Sequence, residues 1–201
     1  MGIGVNSGEA IVGNVGSERR TRYNVIGSSV NICGRVENCT VGGQVLISRQ
    51  TRELIETELE IAQELTVAPK GVEEPMTLYQ VLAIGAPYGV AFYPVEEEPA
   101  PLAVPVMTRL WRLQEKQSGQ TAVPCILTAL CPTGAVLETP LDMLPFDNIK
   151  LDAGGELFCK VLGRKGRGWQ VRFTAKPLGF GDWQALVWQQ SSARSEREMS
   201  M

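Results

Sequence analysis

The sequence contains no histidine in its 201 residues. That excludes triads and proton shuttles built on imidazole, and every metal site that needs imidazole ligands. The five cysteines (Cys33, Cys39, Cys125, Cys131 and Cys159) are odd in number, and no two stand at CxxC spacing. Neither a disulfide framework nor a zinc site is indicated, and a reducing cytoplasm is the expected compartment. No apolar run reaches the length of a membrane span, and the N-terminus lacks the charged-then-apolar layout of a signal peptide. A net charge of −3 gives no electrostatic footprint for nucleic acid. What remains is ordinary for a globular chain: 44% hydrophobic and 20% charged residues, with length for one large or two small domains.

The most informative stretch runs from Tyr23 to Glu37. Tyr23, Val25 and Ile26 favour a strand, Gly27 a tight turn, and residues 29–39 a helix. Ser28 or Ser29 is expected to cap that helix by accepting a hydrogen bond from its first turn. Asn31 and Arg35 lie four residues apart and so share one helical face, whereas Val30 and Ile32 point into packing. An amide and a guanidinium fork beside a glycine turn at a helix start suit a phosphate-bearing ligand. The same pair at helical spacing is also what a solvated helix face looks like.

The flanking residues decide between these readings. Gly2-Ile3-Gly4-Val5-Asn6-Ser7-Gly8-Glu9, Val12-Gly13-Asn14-Val15-Gly16-Ser17, Arg20 and Tyr23-Asn24-Val25-Ile26-Gly27 occur in order. They are followed by Val30-Asn31, Arg35-Val36-Glu37, Gly43-Gln44-Val45-Leu46-Ile47-Ser48, Lys70-Gly71-Val72, Pro75 and Tyr79-Gln80-Val81. Over about residues 2 to 84 this series resembles the catalytic domain of the class III adenylyl and guanylyl cyclases.

The resemblance implies an α+β unit, the C-terminal part of a ferredoxin-like βαββαβ domain. It implies conversion of ATP to cyclic AMP and pyrophosphate at a site shared by two protomers, in bacterial cyclic-nucleotide signalling. Two metal ions, magnesium or manganese, would activate the ribose hydroxyl and neutralise the phosphates. Asn31 would orient the ribose and Arg35 would stabilise the transition-state phosphoryl. Gly27 and Ser28 would lie at the base; many family members carry Asp where Ser28 stands, and a hydroxyl can both donate and accept there. Capping of the helix by Ser28 is compatible with that role. ATP is favoured over GTP, with a homodimer or a partner cyclase half completing the site. The exposed basic arm with Arg19, Arg20 and Arg22 would lie near the dimer contact, or simply be solvated.

The family's metal-binding aspartates and base-contacting lysine lie upstream of the segment matched by Gly2. Nothing in this sequence matches them, so no metal ligand is assigned, and the chain alone is expected not to turn over. Asp142, Asp147, Asp152 and Asp182 cannot substitute by position. The expected explanation is a start internal to a longer gene product, or a truncated remnant. Apolar strand edges and helix faces would then be left exposed.

Element by element, residues 2–6 read as a strand with 9–15 as its hairpin partner, 44–48 as a strand and 50–56 as a short helix. Residues 59–65 and 77–83 read as further strands. Domain 1–86 then gives way to five prolines between Pro87 and Pro105 and the run Glu96-Glu97-Glu98, read as a linker over 87–105. Residues 106–190 form short strands separated by turns, which predicts a small antiparallel barrel. Gly181–Gln190 is expected as a closing helix, and 191–201 as a disordered tail. Leu130, Gly134-Ala135-Val136-Leu137, Lys160-Val161-Leu162 and Val171-Arg172-Phe173 resemble a PilZ-type barrel, the fold of cyclic di-GMP receptors. Ligand-binding members of that family carry RxxxR and then D/N-x-S-x-x-G. Here Arg109 and Arg112 are one residue too close, and Ala129 and Cys131 replace the polar pair. A structural or protein-contact barrel is therefore expected, with Arg164-Lys165-Gly166-Arg167 as a solvated hairpin.

Two further readings remain beside the cyclase one. The chain could be a non-catalytic signalling module that acts through the barrel on a protein partner or cyclic di-GMP. It could also be a pseudo-cyclase half that completes another chain's active site.

Overall fold

The structure, a computed structural model, describes residues 2–17, 20–68, 74–94, 97–114, 117–118 and 121–199. The expectations for Arg19, Lys70-Gly71-Val72 and Glu96 lie outside them. The chain divides into two compact units, Met1–Pro94 and Val95–Met201.

In the first unit, β1 (Ile3–Val5) is followed by β2 (Ile11–Ser17), β3 (Arg20–Ile26), α1 (Ser28–Asn38), β4 (Val45–Ser48) and α2 (Arg49–Leu54). β5 (Leu59–Val67), β6 (Met76–Ile84) and the short β7 (Val90–Ala91) complete it. The main sheet has the order β1-β4-β6-β5, with β7 added on β6. Only β1–β4 is parallel, because α1 intervenes and returns the chain in the same direction.

β2 is not the hairpin partner of β1. It pairs antiparallel with β3, from Ile11↔Ile26 to Ser17↔Arg20, as a separate two-stranded sheet. Arg20 and Arg22 are therefore strand residues rather than part of a loop. The seven-residue complementarity between β2 and β3 outcompetes the three residues that β1 could offer.

Gly2 and Gly4 explain how α1 sits on β1. A Cβ on Gly4 would stand 2.3 Å from the backbone nitrogen of Glu37, and one on Gly2 would stand 2.1 Å from the Thr40 hydroxyl. Only glycine permits this approach. The core beneath comprises Val36, Cys39, Val41, Leu46, Ile47 and Leu78. Two amides meet on buried Gln80: Gln44 Nε2 and the exposed Gln63 Nε2 both donate to its Oε1, at 3.0 and 2.8 Å.

The second unit contains β8 (Ala100–Gln114), β9 (Gln117–Ser118), β10 (Val123–Cys131), β11 (Gly134–Glu138), β12 (Asn148–Asp152), β13 (Glu156–Lys165), β14 (Gly168–Ala175) and α3 (Phe180–Met199). The order β10-β11-β14-β13-β12-β8 closes through a β8–β10 pairing, giving a six-stranded antiparallel barrel. Leu110, Leu127, Leu130, Leu137, Ile149, Leu151, Leu157 and Val161 fill it.

Two boundaries differ from expectation. The segment 87–105 is not a plain linker: residues 90–91 pair with β6, and β8 starts at Ala100. Pro105 is accommodated because residues 102–105 fall within a break in the β8–β10 register, where no ladder bond is lost. The polar stretch after Gln190 continues α3 to Met199, in keeping with the helix-forming Ala, Arg and Glu it contains.

Candidate functional site

α1 carries the candidate residues. Its N-cap is Gly27 in extended backbone geometry, and no side chain caps the first turn. The expected serine cap is not made: Ser29 Oγ instead donates to the backbone oxygen of Glu9, and Ser28 is exposed. The first backbone N–H groups of α1 thus face outward with the positive end of the helix dipole.

Ser28, Asn31 and Arg35 stand at i, i+3 and i+7, on one stripe of α1. Asn31 is exposed and Arg35 half-buried. Among the described residues neither side chain has a hydrogen-bond or ion-pair partner. The opposite stripe packs inward: Val36 is buried and Cys33 Sγ reaches the Gly4 carbonyl oxygen at 3.5 Å. Val30, expected in packing, is exposed, because it lies between the two stripes near the uncovered end of the helix.

Residues that the sequence reading passed over hold α1 in place. Asn6 Nδ2 donates to the backbone oxygen of Ser29 at 2.9 Å, and Asn6 Oδ1 accepts from Ser48 Oγ at 2.6 Å. Ser48 also caps α2 by accepting from the Thr51 backbone N–H, and Thr51 Oγ1 donates to Ser7. The available signal was a polar Asn-Ser pair directly after a strand and ahead of a glycine.

β3 leads through Gly27 into α1, and all seven β3 residues of the β2–β3 hairpin are exposed. Ile11, Val12, Val15, Tyr23, Val25 and Ile26 are uncovered. A lone two-stranded ribbon is marginal in water, so such faces are surfaces for association.

Among the described residues, no group of three or more cysteine, aspartate or glutamate side chains is placed to hold a metal ion. Asp142, Asp147 and Asp152 are engaged with Arg164, Arg112 and Arg109, at 3.1, 3.0 and 3.1 Å.

In the barrel, Arg112 shares a face of β8 with Leu110 and is paired in register with buried Ile149, which turns it to the interior side. Arg109 lies on the outer face with Trp111. The two arginines cannot clamp one ligand from opposite faces of a strand. Deep in the same barrel, burial pushes the Cys125 thiol up to about 12 and raises Cys159 well above its ordinary value, the latter helped by neighbouring Cys125.

Comparison with known proteins finds relatives for the first unit. Residues 1–83 match the adenylate and guanylate cyclase catalytic domain family. Over 86 residues the chain is 34% identical to the terminal-differentiation-specific adenylate cyclase of Dictyostelium discoideum, covering 40% of this chain and 4% of that protein. Among solved structures, the guanylyl cyclase Cya2 is 42% identical, with 45% of this chain and 46% of that chain covered at a TM-score of 0.42. The adenylyl cyclase CyaB from P. aeruginosa is 35% identical over 40% of this chain and 41% of that one, at a TM-score of 0.36. The chain thus spans a small fraction of its curated relative and under half of each solved structure. The family match and the curated relative support cyclase-domain kinship for residues 1–83. Among the described residues no helix is long and apolar enough to cross a membrane.

Proposed function

We propose that the first unit supplies the Asn31 and Arg35 side of a composite class III cyclase site, completed by a second chain across the β2–β3 hairpin. The observation that carries this reading is the stripe on α1. Asn31 and Arg35 are held by a packed helix, yet among the described residues both side chains are unpartnered, and the β2–β3 hairpin that leads into that helix has uncovered apolar residues. A solvated face would explain the polar stripe but not the uncovered apolar hairpin of the same unit.

In this reading the ribose 3′-oxygen of ATP attacks the α-phosphorus, the bond to the bridging oxygen breaks, and pyrophosphate leaves. Asn31 holds the ribose, and Arg35 offers its guanidinium to the charge that builds on the transferring phosphoryl group. Ser28 and Gly27 contact the base, with the Ser28 hydroxyl serving adenine. Magnesium or manganese would be held by the partner chain, which the family resemblance implies carries the metal-binding aspartates. The functional unit is a homodimer or a pairing with another cyclase half, in the bacterial cytoplasm.

For the barrel we infer a PilZ-like protein-contact module. Placement of Arg109 and Arg112 on opposite faces of β8 favours it over a cyclic di-GMP receptor.

The test is turnover. The chain mixed with a class III cyclase domain that keeps its metal aspartates but lacks its own Asn and Arg is expected to form cyclic AMP with manganese, whereas neither does so alone. Soluble protein that gives no product in the mixture would contradict the reading.

A further inference from the structure

One mouth of the barrel is built unlike the rest of its interior. The loop 139–147 between β11 and β12 closes it, with Met143 buried as the plug. Phe146 in that loop adopts φ 69, a conformation unusual for an aromatic residue. The loop is fastened by Phe146 N–H to the Val161 oxygen at 2.7 Å and by Val161 N–H to the Asp147 oxygen at 2.9 Å.

On the interior side of this mouth stand two arginines and a tryptophan. Arg164 and Trp169 are cross-strand partners on β13 and β14, and the Arg164 guanidinium lies 3.9 Å from the centre of the Trp169 ring. Arg112 comes from β8. Both arginines hold carboxylates of the closing loop. Arg164 Nη2 lies 3.1 Å from Asp142 Oδ1 and Arg112 Nη2 lies 3.0 Å from Asp147 Oδ2, and Arg112 also donates to the Asp142 backbone oxygen. The basic turn is thus no simple solvated hairpin.

The donors at this mouth exceed the acceptors. Among the described residues, three buried side-chain nitrogens lack a hydrogen-bond partner, and two of them are Arg112 Nε and Trp169 Nε1. Buried N–H groups are rarely left unpaired. The Nε–Nη2 edge of a guanidinium is the edge that receives two oxygens of one anion, and here only Nη2 is used. Asp142 is 86% exposed and Arg164 57% exposed. Ion pairs this exposed are weak and exchange readily.

We propose that this mouth is an anion site for a phosphate-bearing small molecule, with Asp142 of the closing loop acting as a displaceable internal stand-in. A phosphoryl group brings the double negative charge that two guanidiniums match, and more acceptor oxygens than a carboxylate for the unpaired Arg112 Nε and Trp169 Nε1. The site is distinct from the Arg109–Arg112 pair: it takes Arg112 together with Arg164 and Trp169, and leaves Arg109 outside.

Titration calorimetry of the full chain with inorganic pyrophosphate at low ionic strength tests this. Saturable binding is expected. It should tighten about two- to fivefold in Asp142→Asn, which removes the competing carboxylate. It should weaken by about tenfold or more in Arg164→Met and in Arg112→Met. Lys165→Met, a nearby loss of charge, and Arg52→Ala, in the other unit and away from the α1 stripe, should leave it unchanged. Asp142→Asn is a surface change and carries the test if the Arg112 variant fails to fold. Absence of binding in both the unsubstituted chain and Asp142→Asn would overturn the proposal. So would binding that survives Arg164→Met, is indifferent to Asp142→Asn, or is lost equally in Lys165→Met or Arg52→Ala.

Discussion

The amide of Asn6, at the end of β1, donates to the backbone oxygen of Ser29 in the first turn of α1, at 2.9 Å. Through this bond, and the 2.6 Å contact from Ser48 Oγ to its other end, Asn6 ties three elements together at one corner. The helix that presents Asn31 and Arg35 is thereby fixed at its open end, where no side chain caps it.

Asn6→Ala is expected to lower the stability of the full chain by about 1–2 kcal/mol, since it removes both the bond to the Ser29 carbonyl and the acceptor of the Ser48 hydroxyl. Ser48→Ala should cost a similar amount through the lost α2 cap. The two share one network, so the double variant should cost less than the sum. Denaturant midpoints of the three variants check this.

Gly4→Ala should be costlier than its size suggests. The added methyl would meet the Glu37 backbone 2.3 Å away, and backbone cannot step aside as a flexible side chain can. A loss of about 1–3 kcal/mol is expected from overpacking. Gly13→Ala, where a Cβ meets nothing, should by comparison be nearly neutral. Thermal unfolding of the two variants side by side measures the contrast.

The barrel should weaken in alkali. Cys125 and Cys159 are buried, and their folded pKa values are raised, Cys125 to about 12. Below about pH 8.5 both folded and unfolded thiols are protonated, and no effect arises. Above it the unfolded thiols ionise while the folded ones stay neutral, so the unfolded state binds fewer protons and stability falls as pH rises. The slope is about 1.4 kcal/mol per pH unit for each thiol. Urea midpoints at pH 8 and pH 10 should separate more for the natural chain than for the Cys125→Ala/Cys159→Ala variant.

Much of this was legible in the sequence, for identifiable reasons. The positions of α1, β4, β5 and β6 followed from periodicity and from the glycines that bound them. The stripe of Asn31 and Arg35 followed from helical spacing alone. What escaped was set by long-range competition. β1 lies next to β2 in sequence but pairs with β4, and a local reading has no means of weighing that partner. Ser29 is a good cap by composition, yet its hydroxyl finds the Glu9 carbonyl instead. Pro105 signals a linker locally, but a register break in a barrel absorbs it equally well. Arg164 reads as a turn residue until Trp169 is placed opposite it.

The central claim is that Arg35 acts on a nucleotide bound between two chains. Its most direct test is the rate of cyclic AMP formation in the mixed-chain assay, comparing Arg35→Ala with Arg52→Ala, a change in α2 away from the stripe. A loss of about 10²- to 10³-fold for Arg35→Ala, with Arg52→Ala retaining the unsubstituted rate, is the predicted result. Equal rates for the two variants, in a mixture that turns over, would contradict the assignment of α1 as the catalytic helix.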